Sequence, residues 1–143
     1  MKPTRTPIGL QLAHTSKRVS RAFADALSEA GGSVPMWLVL TNLQGQSWPA
    51  QHQLARALGI EGPTLTRHLD GLEDEGLVVR TRAPGDRRAT LVEITEAGRE
   101  NHAALLEAVI RFNHRLHAGF AEDEVEQLRG LLERLEQNVG AES

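Results

Sequence analysis

The order of turn signals between Gln53 and Thr95 limits this chain more than any other feature. Gln51 to Leu58 carries Leu54, Ala55 and Leu58 on one helical face, and Gly59 then reverses the chain. Gly62 to Glu75 follows, with Leu65, Leu69 and Leu72 at i, i+4 and i+7, and Gly76 closes it. Directly afterwards come two β-prone runs, Leu77–Arg82 and Ala89–Thr95, joined by Ala83-Pro84-Gly85-Asp86. Proline and glycine between two such runs predict an antiparallel hairpin. Ala55 is small enough for a second helix to approach, and Leu54, Leu58, Ile60, Leu65 and Leu69 form the expected shared core. Gly71 is expected to permit a close helix contact. Two short helices around a glycine turn, followed at once by a hairpin, make a winged helix-turn-helix.

The flanks are helical. Ile8, Leu12, Val19, Phe23, Leu27 and Ala30 share one face of a long first helix, which Gly31 and Gly32 stop. Ser33 reads as an N-cap with Pro35 in the first turn of a second helix ending near Leu43, and Gly45 to Pro49 is a break. Thr95 caps a fifth helix reaching about Gly119. Ala121 to Val139 forms the last, with Glu122, Asp123 and Glu124 where the helix dipole favours negative charge. Its apolar face is Val125, Leu128, Leu131, Leu132 and Leu135. The expected class is mostly α with a small β-hairpin wing (α+β). The expected layout is one domain over 1–143, with flanking helices at 1–32 and 120–143, the winged lobe at 33–98 and a linking helix at 99–119.

Composition narrows the function. With 3% aromatic residues and no Tyr, a stacking platform for single strands is not expected. No apolar run approaches the ~20 residues that span a bilayer. The basic Met1–Thr6 stretch lacks a following apolar segment, so the expectation is a cytoplasmic protein. The absence of cysteine removes disulfides, thiolate metal sites and thiol redox switching. No nucleophile–base set or phosphate-binding glycine loop is present, so an enzyme is not expected. The net charge of −3 is unevenly spread: residues 1–35 carry +3, 36–95 carry −1 and 96–143 carry −5. Arg80, Arg82, Arg87 and Arg88 meet only Asp86 within that stretch, so a basic tip sits on an acidic body.

Setting aside its inward leucines, the fourth helix turns Thr64, Thr66, Arg67, His68 and Asp70 outward, beginning at its N-terminus. That is the end a reading helix places in the major groove of duplex DNA, where threonine hydroxyls reach phosphates and arginine binds guanine O6 and N7 together. At the hairpin tip, Arg87 and Arg88 suit a narrow minor groove, with Asp86 orienting Arg88 across the turn.

These residues carry a family resemblance. The run Leu54-Ala55, Gly59-Ile60-Glu61, Pro63-Thr64-Leu65-Thr66-Arg67, Leu72-Glu73, Gly76-Leu77-Val78, Asp86-Arg87-Arg88, Ile94-Thr95 and Gly98 resembles the MarR family of bacterial regulators. Ile60-Glu61-Gly62-Pro63, with Trp37 and Leu12-Ala13 upstream, is most similar to its SlyA branch. The resemblance implies a homodimeric repressor or anti-silencer on a pseudo-palindromic operator, with Arg67 and Arg88 as DNA contacts. It implies a dimer interface from the first and last helices, through Ile8, Leu12, Val125, Leu128, Leu132 and Leu135. It further implies an aromatic carboxylate or phenolic effector near His14, Lys17 and Trp37, and no cofactor. His102, His114 and His117, with Glu107, share the fifth helix without completing a ligand spacing, so no metal is expected. A protein-interaction module and a metal-responsive regulator are the alternative readings.

Overall fold

The chain forms α1 (Ile8–Glu29), α2 (Val34–Leu43), α3 (Gln51–Leu58), α4 (Gly62–Asp74), β1 (Val78–Arg82), β2 (Thr90–Ile94), α5 (Glu96–Leu116) and α6 (Glu122–Gly140). This is a computed structural model, and it describes residues 5–45, 48, 50–82, 85 and 90–140. The winged helix-turn-helix order is therefore present, with flanking helices on both sides. Contacts divide the chain into two compact units, Met1–Val109 and Ile110–Ser143. Among the described residues, no helix is long and apolar enough to cross a membrane.

The first unit is built around the leucines that set the sequence periodicity. Leu27, Leu40, Leu43, Leu54, Leu65, Leu69 and Leu105 are fully buried in one cluster with Val39, Val78 and Val92. Local signals start and stop the elements. The Ser33 hydroxyl accepts from the Met36 amide at 3.3 Å at the start of α2. At the α3–α4 turn, Gly59 adopts a left-handed backbone (φ 67°, ψ 32°), a conformation that disfavours any side chain there. Gly71 behaves differently from its expected role: nothing lies within 4 Å of where a Cβ would stand, so no close helix contact requires it. It sits on the outward face of α4, one turn beyond Arg67.

β1 and β2 pair antiparallel from Val78↔Ile94 to Arg82↔Thr90, so the alternation sends Val78, Val92 and Ile94 into the core. Within the expected Gly45–Pro49 break, Trp48 pairs with the hairpin. The Trp48 amide donates to the Val92 carbonyl (3.0 Å), the Val92 amide donates to the Trp48 carbonyl (2.9 Å), and the Trp48 indole N–H donates to the Asn42 carbonyl. This bridge adds Trp48 to the open side of β2.

Thr95 joins three elements. Its hydroxyl donates to the Gly76 carbonyl (2.6 Å) just beyond α4 and accepts from the Gly98 amide (3.0 Å) in the first turn of α5. Its backbone amide donates to the Leu77 carbonyl at 3.0 Å. The two segments run so close that a Cβ on Gly98 would collide with the Leu77 carbonyl oxygen and lie 2.6 Å from Ile94 Cγ1.

In the second unit, α5 ends at Leu116, short of the expected Gly119, and Gly119 itself takes a positive φ of 85°. Glu122, Asp123 and Glu124 occupy the first turn of α6, and Glu124 Oε1 accepts from the Ala121 amide at 2.9 Å. α6 has no buried residue, and Leu128, Leu131, Leu132 and Leu135 are all exposed.

Because Leu77 backbone cannot give way as a flexible side chain could, Gly98→Ala is expected to destabilise the fold by roughly 2–3 kcal/mol. Chemical denaturation read by far-ultraviolet circular dichroism measures this, and a change below about 0.5 kcal/mol would show that the approach is looser than drawn.

Candidate nucleic-acid interface

The outward face of α4 begins at Thr64 and is dominated by Arg67, which is exposed and has no ion pair among the described residues. Thr64 and His68 are half-buried at the borders of that face. His68 and Arg67 also line a small cleft of about 200 Å³ shared with Ser33, Met36 and Glu75, so one flank of the face rests beside the start of α2.

Thr66 turns the other way. Its hydroxyl accepts from Gln51 Nε2 (2.7 Å) and donates to the Gly62 carbonyl (3.1 Å). Gln51 opens α3, so this pair of bonds ties the two helices of the turn together. The only hydroxyl proton of Thr66 is used internally, and what remains for an outside partner is acceptor capacity.

Arg80 changes the expected charge map. Its guanidinium sits on Asp70 (Nη2 to Oδ1, 2.5 Å) and Glu73 (Nε to Oε2, 3.3 Å), and its backbone N–H donates to Glu73 at 3.0 Å. These bonds, the side-chain one foremost, hold the Glu73 carboxyl below its ordinary value. For Arg80 itself, burial works downward but the bonds to Glu73 and Asp70 outweigh it, raising its pKa. Arg80 therefore clamps the wing strand to α4, and it is not part of the basic tip that the sequence suggested. Asp70, expected to face outward with Arg67, is the other half of the clamp. Arg82 is exposed at the end of β1. Asp86, Arg87 and Arg88 lie outside the described residues, although Gly85 between the strands has the positive φ (82°) of a tight turn.

Residues 33–90 match the model of the MarR family. Three solved structures extend the similarity over most of the chain. A MarR-family transcriptional regulator from Rhodococcus sp. RHA1 is 30% identical, with TM-score 0.76, over 90% of this chain and 91% of that one. The transcriptional repressor CouR, solved bound to a 23-mer DNA duplex, is 30% identical with TM-score 0.82, over 90% and 92%. A mutant MarR from E. coli complexed with operator DNA is 25% identical with TM-score 0.79, over 90% and 93%. The chain belongs to the MarR family.

For this MarR-family chain, the expected effector residues have different immediate surroundings. The open groove beside His14 and Lys17 is lined by residues from Arg5 to Arg21 alone, and Trp37 is not among them. Trp37 instead stacks on His102, with ring centroids 4.9 Å apart and planes within 3°. The Gln44 amide nitrogen donates to His102 Nδ1 (2.8 Å), which leaves the ring proton at Nε2 to donate to Thr41 Oγ1 (3.2 Å). Periodicity placed His102 with the other α5 histidines, whereas the fold commits it to a neutral network with α2. Among the described residues, no group of three or more His, Cys, Asp or Glu side chains is arranged to hold a metal. Neither Thr41 nor Gln44 carried a sequence signal, because their partner lies about sixty residues away along the chain.

Burial lowers the His102 pKa from the ordinary value of 6.5. Above 6.5 the folded and unfolded states are both neutral and stability is complete. As pH falls through 6.5 the unfolded chain binds a proton that the folded ring resists, so stability declines and then levels below the folded pKa. A melting temperature measured from pH 8 to 5 should show this fall, and His102→Gln should flatten it relative to the parent. An identical slope in the variant would assign the effect to other groups.

Proposed function

We propose that this chain is a sequence-specific, double-stranded-DNA-binding transcriptional repressor that acts as a homodimer on a pseudo-palindromic operator. The observation that carries the reading is the exposed Arg67 on the outward face of α4, without an ion pair among the described residues, in a fold that matches CouR, itself solved on duplex DNA, at TM-score 0.82. Arg67 enters the major groove from the N-terminal part of α4 and reads guanine. Thr64 and His68 flank it, and Thr66 contributes chiefly by holding α3 to α4. Arg87 and Arg88 reach the adjacent minor groove, with Asp86 orienting Arg88. Two such units, related by a two-fold axis, read half-sites about one helical turn (~34–36 Å) apart. Transcription is blocked when the promoter is occupied.

An operator selected from a random duplex pool provides the ligand for testing this. Arg67→Ala is expected to weaken binding by about ten- to a hundredfold and to relax discrimination at one base pair per half-site. Arg88→Ala is expected to weaken binding more uniformly across sequences and to reduce the slope of affinity against salt. Wild-type affinity in both variants would overturn the reading.

Dimerisation is supported by the apolar surface that one copy leaves in water. Ile8 and Leu12 on α1 are exposed, as are Leu128 (49%), Leu132 (41%) and Leu135 on α6, with Val125 half-buried at the start of the same stripe. Leucines at i, i+4 and i+7 form a seam suited to another helix. Leu128→Glu with Leu132→Glu should therefore give a monomer in sedimentation velocity that binds operator at least about tenfold more weakly. A stable dimer of that double variant would remove α6 from the interface.

A further inference from the structure

Thr66 stands on α4 but spends its hydroxyl inside the protein. Oγ1 accepts from Gln51 Nε2 at 2.7 Å and donates to the Gly62 carbonyl, one turn back, at 3.1 Å. A threonine in a helix ordinarily divides between two χ1 rotamers, because either lets its hydroxyl bond a carbonyl of the preceding turn. The Gln51 amide comes from a fixed direction at the start of α3 and selects one of them. Thr66 is half-buried on the flank of α4, between the buried Leu69 and the exposed Asp70. With Oγ1 taken up on the α3 side, the tetrahedral Cβ turns Cγ2 away from α3, toward the stripe that carries Arg67 and Asp70. Asp70 is held on Arg80, so the carboxylate on that edge is neutralised.

We infer that Thr66 reads the 5-methyl group of a thymine through Cγ2, and that Gln51 is the positioning residue that aims it. The inference rests on the DNA-reading function proposed above and adds a specificity determinant to it. Of the four bases, thymine alone presents a methyl group in the major groove, and a threonine methyl is a suitable apolar contact for it. The hydroxyl does not compete for guanine or adenine acceptors, since its one proton is already given to Gly62. Thr66 and Arg67 are successive residues and diverge by about 100° around the helix, so they address different bases of one half-site.

Deoxyuridine in place of thymine removes this methyl and leaves the pairing edge unchanged. Duplexes of the selected operator carry the replacement at one thymine position per half-site at a time, and fluorescence anisotropy at fixed salt gives the affinity. For the wild type, one symmetric pair of replacements is expected to weaken binding about fifteenfold, or roughly fourfold per half-site. Thr66→Ser keeps the hydroxyl and loses the methyl, so it should bind the thymine and deoxyuridine duplexes equally. Thr66→Val keeps a methyl on a side chain that is stiff at χ1 in a helix, and should retain the preference. Gln51→Leu frees Thr66 to use both rotamers, and should reduce the preference to less than half of its wild-type value. Adding Thr66→Val to Gln51→Leu should restore it. A general loosening of α3 against α4 would be worsened by that second change, not repaired. Circular dichroism checks that each variant keeps the parent helix content.

A Thr66→Ser variant that keeps the wild-type preference, or a wild type indifferent to every deoxyuridine, would overturn the thymine contact while leaving DNA reading intact. A double variant no more selective than Gln51→Leu alone would overturn the positioning role of Gln51. A wild-type chain that selects no duplex from the random pool would remove the DNA-reading function itself.

Discussion

A single hydroxyl holds together the parts that must keep a fixed geometry for this fold to read DNA. Thr95 Oγ1 donates to Gly76 just beyond α4 and accepts from Gly98 in the first turn of α5, and the Thr95 amide returns to Leu77 at the base of the wing. The Leu77 amide donates to Leu72 within α4 at 2.8 Å, which closes the set. Each bond satisfies a backbone group that a helix or strand end would otherwise leave open. Together they make the end of α4, the root of β1, the end of β2 and the start of α5 one mechanical unit. A shift of α5 at this point therefore carries α4 and the wing with it. Such a junction requires very close backbone approach, and the absence of a side chain at Gly98 is its visible consequence.

The clamp at Arg80 is the electrostatic counterpart of that junction. A chain with net charge −3 cannot attract DNA through its overall field, so the local disposition of a few cations decides. The fold spends Arg80 internally: it neutralises two carboxylates of α4 and aligns β1 with that helix. Left unpaired, Asp70 and Glu73 would repel phosphate beside Arg67. The pairing thus removes one cation from the expected basic tip and at the same time neutralises two anions beside the outward face of α4. Counting charges along the chain overestimates the basic tip, because it cannot distinguish a cation facing solvent from one folded back on a neighbouring helix.

The limits of reading the sequence follow the same division between local and distant physics. The α3 boundaries, the Ser33 cap, the Gly59 turn and the hairpin were legible, since each is set by residues within a few positions of one another. Trp48 pairing with Val92, Arg80 reaching back to Asp70, and His102 meeting Thr41 and Gln44 were not. These contacts are created by the packing of elements, and no periodicity announces them. Of the candidate reading residues, the inward–outward division of α4 was legible from its leucines. The internal duty of Thr66 was not, because it depends on Gln51 in the preceding helix. Gly71 shows the opposite error, a packing role assigned to a position that faces open space.

The second unit raises a different constraint. It comprises the end of α5 and all of α6, and α6 contributes no buried residue. An amphipathic helix gains little from propensity alone, and most helical stability in proteins comes from covering its apolar face. Exposed Leu128, Leu131, Leu132 and Leu135 on α6, with Ile110 and Phe120 in the same unit, forgo that stabilisation in a lone copy. Burial at about 25 cal/mol per Å² of apolar surface would supply it on association. For such a segment, assembly and local stability are coupled, so the helix content of 110–140 should depend on protein concentration in a way that the Leu27–Leu105 core of the first unit does not. DNA recognition would then depend on assembly twice, once for the spacing of two reading helices and once for the order of the helices that set that spacing.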